Sequence, residues 1–388
     1  MTRLLRKAMA FVPIPLLMAA ANVAVDPAHL FRGAAYEAGI ARLLQRGIPV
    51  ANASDYDDRV LQRLYIEGLR EAPEVIVLGS SRCLQIRSSV FPGRRLFNHG
   101  LAGASLEDDI ALYGMYRRRG LRPGSVVLGV DPWLFNKRNF QDRWQSLARE
   151  YQQMARELQV SARPAPRLGV LWTMEKYGQL VSPNYLQASI RLWVQQRLYR
   201  AQARASRIDY YPAQRLDGDE AVKLADGSVI EARRKRELSV EAVRRDAIAY
   251  ATQEPAYSLG SFQRLDPGLQ ALFEGLLDVM RRDGVEVILF LPPYHPVTYE
   301  LLMQQPRYHI ITTAEAYVRQ VATSRGLMVI GGYDPRPQGL EEAQFLDGMH
   351  PKAAAIERLF AGVDQHVHQL PRQQKRFPMM DHRLRRSL

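Results

Sequence analysis

Two short runs in this 388-residue chain hold residue types that could move an acyl group and a proton. Gly79-Ser80-Ser81-Arg82 closes a short apolar stretch, and Asp347-Gly348-Met349-His350-Pro351 lies far downstream. A nucleophilic serine needs an exposed position, a base within about 3 Å and backbone N–H groups aimed at a developing oxyanion. A glycine-led turn at a strand end supplies the exposure and at least one such N–H. In Asp-x-x-His, an i, i+3 spacing on a tight turn lets the carboxylate reach one imidazole nitrogen while the other faces outward. That is the orientation of a general base. Each run has a plainer reading too. Gly-Ser-Ser also serves as a turn or helix cap, and Pro351 suits the first position of a last helix, which makes the second run a capping turn.

Further polar residues stand at comparable strand ends. Arg82 could grip an anionic sugar or form an ion pair, and Asn98 opens the glycine-punctuated turn Asn98-His99-Gly100-Leu101-Ala102-Gly103. Asp131 and Trp133 follow an apolar stretch, where tryptophan stacks on a sugar ring or packs in the core. Pro292-Pro293-Tyr294-His295-Pro296 follows another, so Tyr294 and His295 either line a cleft or stiffen a loop. These six residues are the candidate substrate contacts. His366 and His368 diverge on a helix, and Cys83 is the only cysteine, which excludes an intramolecular disulfide framework and a cysteine-rich zinc site. Neither a metal nor a cofactor is expected.

The elements that must carry these residues alternate. A helical stretch runs over 54–70, followed by a strand at 74–78, a strand at 94–98, a helix over 105–119 and a strand at 125–129. After residue 136 the alternation lapses, with helical stretches near 141–158 and 186–206 and an Asp226-Gly227 hairpin within 220–233. It resumes with a helix over 266–282, a strand at 286–291, a helix over 313–325, a strand at 327–330 and a helix over 352–369. Five short apolar strands with intervening helices predict an α/β fold, a parallel sheet covered by helices. Such sheets bind ligand beyond the carboxyl ends of their strands, where the residues above collect. The expected organisation is an N-terminal segment 1–29, a first domain part 30–136, a basic and mainly helical insertion or lid 137–264, a second domain part 265–370, and a basic disordered tail 371–388.

Apolar residues make up 47% of the chain and charged residues 24%, which excludes wholesale disorder and a multi-span membrane protein. With 53 basic against 40 acidic residues the net charge is +13, concentrated in the insertion and the tail. That suits anionic partners in general, but no helix-turn-helix, RNP or zinc-finger pattern accompanies it, so no nucleic acid is expected. Arg3, Arg6 and Lys7 precede an apolar run over 8–25, broken only by Pro13, Pro15 and Asn22. Its length as a helix is roughly 27 Å, just short of a bilayer's hydrocarbon core. This predicts an inner-membrane signal anchor through residues 8–25, or, if cleavage follows Ala19-Ala20-Ala21, a removed signal peptide and a free periplasmic or secreted protein.

In this order, a serine turn on the first strand, a glycine turn after the second and Asp-x-x-His before the last helix, the chain resembles the SGNH (GDSL-like) hydrolase superfamily over 74–136 and about 265–369. The resemblance implies an SGNH-like, flavodoxin-like three-layer fold with a five-stranded sheet. It implies Ser81 as nucleophile, with Ser80 replacing the family's aspartate, a Ser81–His350–Asp347 triad, and the Ser81 and Gly103 amides as oxyanion hole. Where the family has Gly-x-Asn-Asp this chain has Gly129-Val130-Asp131, and losing such an asparagine donor costs roughly 2.7–4 kcal/mol unless another group replaces it. Gly-Ser-Ser and the N-terminal segment, with Asn22 to Pro27 after it, are similar to the branch of exported proteins that partner membrane-bound O-acyltransferases, including alginate acetylation and teichoic-acid D-alanylation proteins. The implied function is a serine-dependent O-acetyltransferase or acetylesterase on an exported polysaccharide. The alternative is a catalytically inactive scaffold that binds polysaccharide or a membrane-bound O-acyltransferase.

Overall fold

Five continuous apolar runs form one parallel sheet in the computed structural model, which describes residues 13–25, 34–158, 179–194 apart from 185, 188 and 192, 210–259 and 262–363. The strands are β1 (Val75–Leu78), β2 (Leu96–Asn98), β3 (Ser125–Gly129), β4 (Glu286–Leu291) and β5 (Met328–Gly331). Their spatial order is β2-β1-β3-β4-β5 and every pairing is parallel. This is the flavodoxin-like order, whose ligand crevice opens beside β1 and β3, where the strand order reverses. All five strands fall where the sequence pattern puts them.

Alternate residues feed two cores. Ile76, Leu78, Val126, Leu128 and Leu289 face the larger one, beneath the helices Leu106–Arg118, Pro267–Arg282 and Ile310–Arg325. Val75, Val77, Val127, Ile288 and Phe290 face a smaller one, closed by Ile86, Phe91 and the helix Ala353–Leu359. Burial on both faces is why these strands read as unbroken apolar runs instead of alternating ones. Helix starts follow their caps. Ser105 and Asp108 form a capping box at Leu106, and the Asp266 carboxylate takes the N–H groups of Gly268 and Leu269. The helix expected from residue 54 begins only at Asp58, because Asp57 is the residue that caps it.

The segment 137–264 carries both helix and strand among its described residues. It holds the helices Ala148–Glu157 and Val240–Ala251, and it also supplies three strands of a small antiparallel sheet, Tyr211–Pro212, Val222–Lys223 and Val229–Ile230, around Val50–Ala51. The Asp226-Gly227 hairpin is present, with Gly227 at φ 79°. Two-residue strands carry too little periodicity for the pattern to reveal them. Near the N-terminus a helix runs over Pro13–Val25, and among the described residues no helix is long and apolar enough to cross a membrane. Residues 8–12 of the expected anchor, most of the expected 186–206 helix, the end of the last helix and the 371–388 tail lie outside the described residues.

Candidate active site

β1 ends at Leu78, and Gly79 and Ser80 lead into a single 3-10 turn, Ser81–Cys83. The Ser80 hydroxyl accepts the Arg82 N–H at 3.2 Å, and its carbonyl accepts the Cys83 N–H at 2.9 Å. One serine is therefore the cap and the next is left for chemistry. Gly79 is required here, since its φ of 133° is outside the range of L side chains and a Cβ would stand 3.0 Å from the Gly129 carbonyl.

Ser81 Oγ lies 3.0 Å from His350 Nε2, and His350 Nδ1 lies 2.8 and 2.9 Å from the two Asp347 oxygens. Asp347 Oδ1 also accepts the backbone N–H groups of Met349 and His350, each at 3.0 Å, and Leu346 N–H closes the turn on the His350 carbonyl at 2.8 Å. Pro351 bridges to Phe345 and the last helix starts at Ala353, so this turn is separate from that helix cap. With Nδ1–H given to Asp347, Nε2 is free to accept the Ser81 proton. Burial would push the Asp347 carboxyl up, but the neighbouring His350, the Lys235 ammonium and the Met349 N–H hold it well below the usual carboxylate range. It is ionised wherever the protein is folded near neutral pH.

The loop after β2 comes alongside. His99 and Leu101 donate to the carbonyls of Val77 and Gly79, which extends the β1 edge as far as the serine turn. Arg59, from the helix Asp58–Gly68, forks onto the Asp108 carboxylate and donates to the carbonyls of Ala102 (3.0 Å) and Gly103 (3.3 Å). In a trans peptide the C=O and N–H point opposite ways, so this grip on the Ala102 carbonyl turns the Gly103 N–H outward. Among the described residues no acceptor takes the N–H of Ser81 or of Gly103. Gly103 has φ 57°, and a Cβ there would meet the Tyr257 hydroxyl at 2.3 Å. That hydroxyl accepts the Gln141 Nε2–H at 2.8 Å and keeps its own proton to donate. Burial raises the Tyr257 phenol, outweighing the hydrogen bond from Gln141, so it stays protonated. Val130 itself is wholly buried and presents no side-chain donor.

The residues brought together at the cleft, Ser81, Gly103, Asp347 and His350, are all half-buried. The six candidate substrate contacts are buried in the structure. Arg82 donates to Met349 O and Pro292 O, pairs with Asp131 at 2.7 Å and lies 4.1 Å from the centre of the Tyr294 ring. Asn98 ties the carbonyls of Cys83 and Ile86 to the Gly100 N–H. Trp133 donates to the Ala104 carbonyl, and the His295 imidazole caps the helix Pro296–Met303. A position after a strand places a residue at the sheet's functional end, but says nothing about whether its side chain turns toward solvent or down onto the core.

Sequence reasoning missed Arg59, Gln141, Tyr257 and Lys235. Lys235 Nζ stands 3.2 Å from Asp347 Oδ2, although it belongs to a run of four cations that reads as a solvated face. Arg59 in an acid-rich helix start could have signalled a buried pair; Gln141 and Tyr257 carry no local signal. No group of side chains able to hold a metal ion occurs among the described residues. No protein-family model matches the chain, and no curated sequence matches it significantly.

Proposed function

We propose that the protein is an SGNH-like, serine-dependent acyl-ester enzyme of the cell envelope, an O-acetyltransferase or acetylesterase acting on an exported polysaccharide. The observation that carries this reading is the continuous Ser81–His350–Asp347 relay, with bonds of 3.0 and 2.8 Å. Ser81 Oγ attacks the acyl carbonyl while its proton passes to His350 Nε2. The oxyanion meets the N–H groups of Ser81 and Gly103 and the Tyr257 hydroxyl, which replaces the donor that Val130 cannot supply. His350 then gives its proton to the departing hydroxyl and the acyl group stays on Ser81. A sugar hydroxyl or water next loses its proton to His350, attacks the ester and releases Ser81, whose oxygen takes that proton back. A sugar acceptor makes the protein a transferase, and water makes it an esterase. The basic run before residue 8 and the apolar segment after it support a periplasmic site at the inner membrane, and the excess of cations supports an anionic polymer or a membrane-bound O-acyltransferase as partner.

The test is intact-mass analysis of the full-length protein after treatment with a fluorophosphonate, beside Ser81→Ala. One adduct on the wild type and none on the variant is expected. Absence of an adduct on folded wild type refutes an activated serine and leaves the inactive scaffold, which the buried Val130 favours.

A further inference from the structure

We propose that Lys235 is a positioning residue of the relay, its ammonium holding the outer oxygen of Asp347 so that the segment 137–264 takes part in the proton transfer. This rests on the serine-enzyme reading above. The helix Arg233–Arg236 carries four consecutive cations. Arg233 turns away to Asp219 and Glu237, and Arg236 donates to the Gly218 carbonyl. Lys235 alone among them reaches the relay, 3.2 Å from Asp347 Oδ2 and 3.5 Å from Glu231. Its turn is pinned to the small sheet's loops through Arg233 N–H on the Asp219 carbonyl (3.0 Å), so the ammonium is presented by a fixed backbone.

The chemistry follows from how the carboxylate is divided. Asp347 Oδ1 serves two backbone N–H groups and the imidazole, whereas Oδ2 serves His350 Nδ1 at 2.9 Å and Lys235 at 3.2 Å. Two bonds to one oxygen place the ammonium within about 6 Å of the imidazole. At that range it fixes the carboxylate's plane and sets a positive charge beside the imidazole that receives the proton. The other charged groups around this turn act from behind or alongside. Arg82 lies under the Met349 carbonyl and is paired with Asp131, whose charge also reaches His350. His295 is pushed down to about 4 by burial and by Arg244, which itself pairs with Glu342. Glu231 opposes Lys235 from its far side.

The experiment measures the fluorophosphonate labelling rate of the full-length protein from pH 5 to 9 for wild type, Lys235→Gln, Lys235→Arg, Glu231→Gln and Arg233→Gln, with circular dichroism to establish folding. In K235Q the acid limb moves to higher pH, so labelling near pH 6 falls about threefold to tenfold while the alkaline plateau stays within about twofold. K235R restores the wild-type profile, E231Q moves the limb the other way, and R233Q, which removes an equal charge one turn-face away, leaves it in place. A K235Q profile of wild-type shape, a uniform loss at every pH, or an equal shift in R233Q overturns the proposal; E231Q decides it if K235Q does not fold. No labelling of folded wild type at any pH overturns the serine reading, and this proposal with it, and is distinguished by the missing adduct.

Discussion

Replacing Arg82 with leucine separates a buried strut from a substrate grip. The Arg82 and Asp131 side chains are 0% and 1% exposed, Arg82 donates to Asp131 Oδ1 at 2.7 Å, and Asp131 has no other ion-pair partner among the described residues. Removing the guanidinium strands that carboxylate in a low-dielectric interior, which costs about 3–5 kcal/mol for a buried pair. It also takes a donor from the carbonyls of Met349 and Pro292, one beside His350 and one at the end of β4. A loss of at least about 4 kcal/mol is a large share of an ordinary domain's stability. Urea unfolding followed by tryptophan fluorescence measures it directly. Adding Asp131→Asn should restore at least half of the loss, because the orphaned charge disappears with it. The reasoning is refuted if Arg82→Leu unfolds within about 1 kcal/mol of wild type. Unchanged stability with weakened binding of an anionic polysaccharide would return Arg82 to the cleft.

Two further outcomes follow from the same geometry. Tyr257→Phe should slow fluorophosphonate labelling by about 10²-fold or more with little change in unfolding midpoint, since Gln141 keeps its bond to Ser258; an unchanged rate removes Tyr257 from the oxyanion site. Burial lowers His99 to about 3 and His295 to about 4, so both are neutral when folded and take up protons on unfolding. Stability is thus full above their ordinary value near 6.5 and drains as pH falls below it, by about 2 kcal/mol for each group between pH 7 and 5. Denaturant midpoints flat across that window contradict their burial as neutral groups.

The sheet was legible because its strands, β5 apart, are buried on both faces and so announce themselves without a partner. The relay was legible because its acid and base share one four-residue turn, and because Ser81 follows a glycine at a strand end. Side-chain direction was not. Asp131 and Ser81 both follow apolar strands in the sequence, yet one is buried beneath Arg82 and the other meets His350. The difference arises from packing between β1, β3 and β4, far apart along the chain, and no local pattern encodes it. Lys235 and Tyr257 were hidden for the same reason, each brought to the relay by a segment whose strands are two residues long.

That segment reaches the relay from two sides, and the two contacts have different physical demands. At the acid end, Lys235 acts through charge over a few ångströms and tolerates any cation that reaches Asp347 Oδ2. At the electrophile end, the proposed role of Tyr257 requires a proton within hydrogen-bond distance of an oxygen that exists only during reaction, so an error of about 1 Å would remove its effect. The hydroxyl is correspondingly the better braced of the two: Gln141 bonds both it and Ser258, and Ser258 Oγ bonds the Asn139 carbonyl. The Trp133 ring lies edge-on against Tyr257, and Trp133 is itself fixed to the Ala104 carbonyl one residue past Gly103. The donor and the glycine it accompanies are thus referred to the same buried tryptophan. A shift of the loop after β2 therefore carries both together, which is the condition for a borrowed side chain to replace a donor that a strand end ordinarily supplies.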